Sequence, residues 1–119
     1  MITPSAICEA IASGRVDLST EKEAQAGIEG LLVAAFGREA VKREHRLSNA
    51  DIPDFMIGGV VVEVKVRGAN KMATFRQMKR YSEYPEVTDL VLATNLSMGL
   101  TEDIGGKPAY YVSLGRGWL

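Results

Sequence analysis

The run Pro53-Asp54-Phe55-Met56-Ile57-Gly58-Gly59-Val60-Val61-Val62-Glu63-Val64-Lys65 decides how this chain is read. Residues 55–57 and 60–66 are rich in β-branched and large apolar side chains. The two glycines between them are the signature of a two-residue hairpin turn. Such a turn fixes the strand register when no bulge intervenes. Ile57 then opposes Val60, Met56 opposes Val61, Phe55 opposes Val62, and Asp54 opposes Glu63. Directly opposed residues of an antiparallel pair carry Cβ atoms roughly 4.5–5.5 Å apart on one face, where two carboxylates repel each other. A divalent cation turns that repulsion into attraction, because hard ions such as Mg²⁺ favour carboxylate oxygens.

Strand alternation adds the next piece. Val61, Glu63 and Lys65 share one face of the second strand, and Val60, Val62, Val64 and Val66 share the other. The all-valine face must be core. The opposite face brings together two carboxylates and one ammonium group. Phosphodiester hydrolysis calls for a metal that activates water and offsets charge at the phosphate, with a cation beside it. A strand with one buried and one solvated face alternates in the same way, so Glu63 and Lys65 alone can be solubilising charge. The opposed Asp54 is not required for solubility, and it tips the reading toward a site.

Outward from the hairpin, Asn70 opens a predicted helix over 70–84, stopped by Pro85. Residues 89–93 read as a short buried strand. Gly105-Gly106 precedes a further β-rich run at 109–114. On the other side, 41–47 reads as a strand carrying several charges. Thr20 with Glu23 forms a capping-box signal. Ala24, Ile28, Leu31, Leu32 and Ala35 then recur at helical spacing, giving a helix over 20–36. The stretch containing Ile7, Ile11 and Gly14 suggests a short helix before it. The order is helix, three strands, helix, strand and one more strand, in a single α/β domain with a mixed sheet spanning 1–119.

Size and composition agree with one soluble domain. The chain has 119 residues, of which 46% are hydrophobic and 24% charged, which argues against disorder. Its single cysteine, Cys8, has no internal disulfide partner, so nothing calls for an oxidising compartment. No signal pattern or membrane-length apolar run is present, and the expected location is cytoplasmic with no membrane partner. With one histidine (His45) and one cysteine, zinc sites rich in histidine and Cys/His nucleophile pairs are excluded. Residues 27–37 match no phosphate-binding glycine loop. The net charge of −1 counts mildly against nucleic-acid binding, but the charges are unevenly placed. Residues 65–80 hold Lys65, Arg67, Lys71, Arg76, Lys79 and Arg80 with no acid, whereas 17–29 hold Asp17, Glu21, Glu23 and Glu29 against Lys22. Either cluster, taken alone, reads as a solvated helix face.

Pro53-Asp54, then eight residues, then Glu63-Val64-Lys65 resembles the signature of the PD-(D/E)XK nuclease superfamily. Gln77-Met78-Lys79-Arg80-Tyr81 on the following helix looks like the Gln-x-x-x-Tyr motif of its RecB-like branch. The element order is also that of the superfamily's core, and the resemblance spans about residues 20–94. It implies a restriction-endonuclease-like core and a Mg²⁺- or Mn²⁺-dependent nuclease, with DNA favoured over RNA. Asp54, Glu63 and the backbone carbonyl of Val64 would hold the metal, and Lys65 would assist the attacking water. Gln77 would orient the catalytic groups. Tyr81 would contact nucleic acid or buttress the site, although Thr74, Met78 and Tyr81 also form an ordinary packing stripe.

Family members often supply another acid from the first helix. Glu21 is the candidate here, with favourable charge at a helix N-terminus as its other explanation. Gln25 lies on the same edge, Glu44 is a further candidate from the preceding strand, and Glu29 is expected to face solvent. Lys71, Arg76, Lys79 and Arg80 are candidate phosphate contacts. By analogy with small junction resolvases and restriction enzymes, a homodimer or larger assembly is expected. The alternative function is a non-catalytic module that keeps the fold and binds nucleic acid or protein.

Overall fold

The computed structural model describes residues 1–114 of the chain. Helix α1 (Pro4–Ala12) starts where the Thr3 hydroxyl accepts the Ala6 N–H at 3.1 Å, with Pro4 in the first turn, where an N–H has no helical partner. Helix α2 (Glu21–Phe36) starts at the expected cap, the Thr20 hydroxyl accepting from the Glu23 N–H at 3.0 Å. A single 3-10 turn leads into β1 (Lys42–Arg43). The hairpin strands β2 (Phe55–Ile57) and β3 (Val60–Lys65) follow, then α3 (Lys71–Ser82), capped by Asn70, and β4 (Asp89–Thr94). Strands β5 (Asp103–Ile104) and β6 (Lys107–Ser113) complete the described residues.

The strands form one mixed sheet in the order β1-β2-β3-β4-β6-β5. β1, β2 and β3 are an antiparallel meander, β4 runs parallel to β3, β6 runs parallel to β4, and β5 is antiparallel to β6. The hairpin register is the one the two-glycine turn implies, with Phe55 opposite Val62, Met56 opposite Val61 and Ile57 opposite Val60. Both glycines have a reason. Gly58 sits at φ 58°, in the left-handed region, and a Cβ on Gly59 would lie 2.6 Å from Thr88 Oγ1.

Three features depart from the reading of the sequence. The strand expected over 41–47 is cut to Lys42–Arg43, because Glu44 adopts φ 52°. Its N–H makes a last bond to the Asp54 carbonyl at 2.9 Å before the chain leaves the sheet. The Gly105-Gly106 pair closes a small hairpin, so β5 precedes it as an unanticipated strand. Most consequentially, both faces of β3 are covered. Val60, Val62, Val64 and Val66 pack with Ile7 and Ile11 of α1 and Ile28 and Leu32 of α2. Val61 packs on the other side with Leu90, Leu92, Met78 and Tyr81, the last two from α3. The result is two helices, a sheet and a third helix in layers. Glu63 is only 2% exposed, so it is not a solubilising charge. No helix among the described residues is long and apolar enough to cross a membrane.

Candidate active site

The β2–β3 ladder ends at Phe55 and Val62, leaving Asp54 one residue outside it and preceded by the buried Pro53. Asp54 and Glu63 therefore do not stack as a regular cross-strand pair. They interlock through the backbone: the Asp54 N–H donates to Glu63 Oε1 at 3.2 Å, and the Val64 N–H donates to Asp54 Oδ2 at 2.8 Å. Each layer then supplies a donor. Gln25 Nε2, from α2, donates to Asp54 Oδ1 at 3.1 Å, and the Tyr81 hydroxyl, from α3, donates to Glu63 Oε1 at 3.2 Å. Lys65 Nζ lies 3.3 Å from Glu63 Oε2, its side chain 18% exposed while that of Glu63 is almost sealed.

Burial raises the proton affinity of both carboxyl groups above the usual carboxylate range. For Glu63 the next cause is the charge of Asp54, which opposes a second negative charge beside it. For Asp54, the Val64 hydrogen bond and the Lys65 charge pull the other way, and the Glu21 charge adds to the rise. Tyr81 is also pushed up, first by burial and then by the charges of Glu63 and Asp54, so its hydroxyl stays protonated and can only remain a donor to the acid. The pair is held at an electrostatic cost that a cation would relieve. Among the described residues, no group of three or more His, Cys, Asp or Glu side chains is placed to hold a metal ion. Asp54 and Glu63 are the two carboxylates that could supply oxygen ligands here, and Glu21 does not complete a group of three with them. That suits Mg²⁺ or Mn²⁺, hard ions that keep several waters and use only one or two protein carboxylates.

A cleft of about 660 Å³ meets this pair through Lys65, with neither Asp54 nor Glu63 in its lining. Its lining includes Glu21, Lys65, Arg67, Arg76, Gln77 and Arg80. The structure therefore brings Lys65, Gln77, Arg76, Arg80 and Glu21 to one concavity next to Asp54 and Glu63. Among the described residues, no hydrogen bond ties Gln77 to Asp54, Glu63 or Lys65, and the contact made by Val64 is through its N–H. Lys71 and Lys79 are exposed and lie outside the lining, Lys79 facing Glu83 at 3.9 Å. Tyr81 is fully buried, so of its two expected roles direct contact with nucleic acid is corrected: the ring packs in the core and the hydroxyl buttresses Glu63. Glu44 is exposed beyond the end of β1, and His45 faces Glu86 at 3.3 Å. Glu29 does not simply face solvent; it pairs with Arg38 at 2.8 Å and Arg43 at 2.7 Å.

Several supporting residues escaped the reading of the sequence. Arg43 continues from Glu29 to Gln25 Oε1 at 3.2 Å and lies 5.3 Å over the Phe55 ring, so a chain of contacts from Glu29 sets the Gln25 amide on Asp54. On the other side, Asp51 anchors the loop that carries Asp54. It accepts from Arg80 Nε at 3.0 Å and from the Tyr84 hydroxyl at 2.7 Å, and that hydroxyl also lies 2.9 Å from Ser48 Oγ. The Tyr84 and Arg80 bonds hold the Asp51 carboxyl below its usual range. Gln25 was legible from its helix position and Arg67 belongs to the basic run, but nothing local marks Asp51 or Tyr84.

No protein-family model matches this chain, and neither the curated proteins nor the solved structures contain a match to it.

Proposed function

We propose that the chain is a metal-dependent nuclease that hydrolyses phosphodiester bonds, with DNA the favoured substrate. The observation that carries this reading is the interlocked pair of the buried Glu63 and the half-buried Asp54, with Lys65 against it and a basic cleft alongside. Solubility does not call for a charge as buried as Glu63, and folding is better served by an apolar residue there, because buried like charges are costly. The antiparallel meander, the α3 crossover and the parallel β4 also support a restriction-endonuclease-like core built from α2 to β4.

In this reading Asp54 and Glu63, with the Val64 carbonyl, hold Mg²⁺ or Mn²⁺. The ion supplies a water of lowered pKa and offsets charge at the phosphate. The protein does the rest. Gln25 and the Val64 N–H fix the Asp54 carboxylate, and Tyr81 fixes that of Glu63. The Lys65 ammonium, held by Glu63 yet partly open to the cleft, orients the attacking water and stabilises charge building on the phosphoryl oxygens. Gln77, in the cleft lining, would orient the reacting groups.

Plasmid nicking tests the proposal. Wild type is expected to cleave in Mg²⁺ and not in EDTA, and Asp54→Ala to be inactive. Cleavage that survives Asp54→Ala would sink the assigned site. Tight binding without cleavage in any divalent ion would favour the non-catalytic module instead.

A further inference from the structure

The cleft carries more than the two carboxylates need. Lys65, Arg67, Arg76 and Arg80 line it against one acid, Glu21. Two of these cations are already engaged, Lys65 with Glu63 and Arg80 with Asp51. Arg67 and Arg76 have no ion-pair partner among the described residues, and both are exposed. Two unpaired guanidinium groups in a concave wall raise the local concentration of anions and present planar forks suited to phosphate oxygens. They reach the cleft from different elements: Arg67 from the turn after β3, and Arg76 from α3, one helical turn before Arg80 on the same face.

What the wall lacks is equally informative. None of the described residues lining the cleft is aromatic. Proteins that hold unpaired bases do so by stacking them on aromatic rings, whereas contacts to phosphate fix position without reading sequence. We infer that the cleft is a backbone subsite, in which Arg67 and Arg76 hold non-scissile phosphates of a polynucleotide and no base is read. The inference rests on the nuclease reading for its substrate class, but not on catalysis.

Binding in EDTA tests it separately from hydrolysis. Labelled oligo(dT), oligo(dA) and a mixed-sequence duplex are titrated with the protein across a sodium chloride series, following anisotropy. The two homopolymers are expected to bind within about threefold of each other, since neither offers a preferred contact. Arg67→Ala and Arg76→Ala should each weaken binding about tenfold at low salt and lower the slope of log affinity against log salt by about one. Lys42→Ala, on β1 and outside the cleft lining, should leave the slope unchanged. An unchanged slope in both arginine variants overturns the inference, as does a homopolymer preference above tenfold. Displacement of oligonucleotide by inorganic pyrophosphate at comparable concentration also overturns it, because the site would then take a small phosphate ligand. A protein that never nicks DNA but shows the two slope changes keeps this inference and loses the nuclease. One that nicks with unchanged slopes does the reverse.

Discussion

The two faces of β3 are both buried, yet they are built on opposite principles. On one, Val60, Val62, Val64 and Val66 meet α1 and α2 with apolar surface alone. On the other, Val61 shares its face with Glu63 and Lys65 under α3. The first face is stabilising because it removes apolar area from water, about 25 cal/mol per Å². The second surrounds a carboxylate with Tyr81, Lys65 and the Asp54 backbone, and still leaves it with raised proton affinity. Polar alternation on a strand is usually a sign of solvent. Here it marks a polar pocket inside a second core, a placement that stability alone does not favour.

Substitutions should separate the two faces. The largest effect is expected for Glu63→Gln, which keeps the shape and removes the charge. Turnover should fall at least about 10²–10³-fold in the nicking assay, a loss typical of removing a group that stabilises the transition state. Stability in EDTA at neutral pH should stay level or rise, because a disfavoured buried charge is gone. A large drop in stability with residual turnover would invert the contrast.

Metal and pH act on the same face. Saturating Mg²⁺ should stabilise wild type, by about 2.7 kcal/mol at a hundredfold excess over its Kd, and should leave Glu63→Gln almost unmoved in thermal unfolding. In EDTA Asp54 and Glu63 bind more protons in the folded protein than in the unfolded chain, because both have raised proton affinity. Their contribution is therefore fully present below the ordinary carboxylate pKa of about 4 and is lost as pH rises through the raised folded values. Mg²⁺ should flatten that decline. A stability curve that instead climbs over this interval, with Mg²⁺ making no difference, would contradict the account of a strained pair.

Val62→Ala probes the apolar face. It should cost about 2 kcal/mol in denaturant unfolding, from lost transfer energy plus a cavity, with turnover per folded molecule retained. Gln25→Ala removes the α2 donor from Asp54 and should raise the Mg²⁺ concentration needed for half-maximal rate about 10- to 100-fold, with a smaller change in the rate at saturation. A fall in the saturating rate alone would mean that Gln25 does not act through Asp54. The smallest effect belongs to Lys79→Ala, whose exposed pair with Glu83 should be worth under about 0.5 kcal/mol.

Much of the fold was legible in the chain because its signals are local. Gly58-Gly59 sets the register, Thr20 and Asn70 cap their helices, and Pro85 follows the end of α3. Asp54, Glu63 and Lys65 were legible for the same reason, since they lie within one hairpin. The short β1 was not, because its end depends on the left-handed Glu44 and on a loop held from α3. Tyr81 carried a packing reading and a site reading; its burial removes direct contact with nucleic acid, while its ring packs and its hydroxyl reaches Glu63.

By itself the sequence determined the helices and the hairpin register from Phe55 to Val62, because periodicity and turn chemistry act between near neighbours. Only the tertiary structure decided that α3 closes over the second face, that Tyr81 reaches Glu63 across 18 positions, and that Gln25 reaches Asp54 across 29. It also tied Asp51 to Arg80 across 29 positions. Contacts at such separations leave no local pattern. They depend on how layers pack, and that packing seals Glu63 and interlocks it with the half-buried Asp54 near a basic cleft.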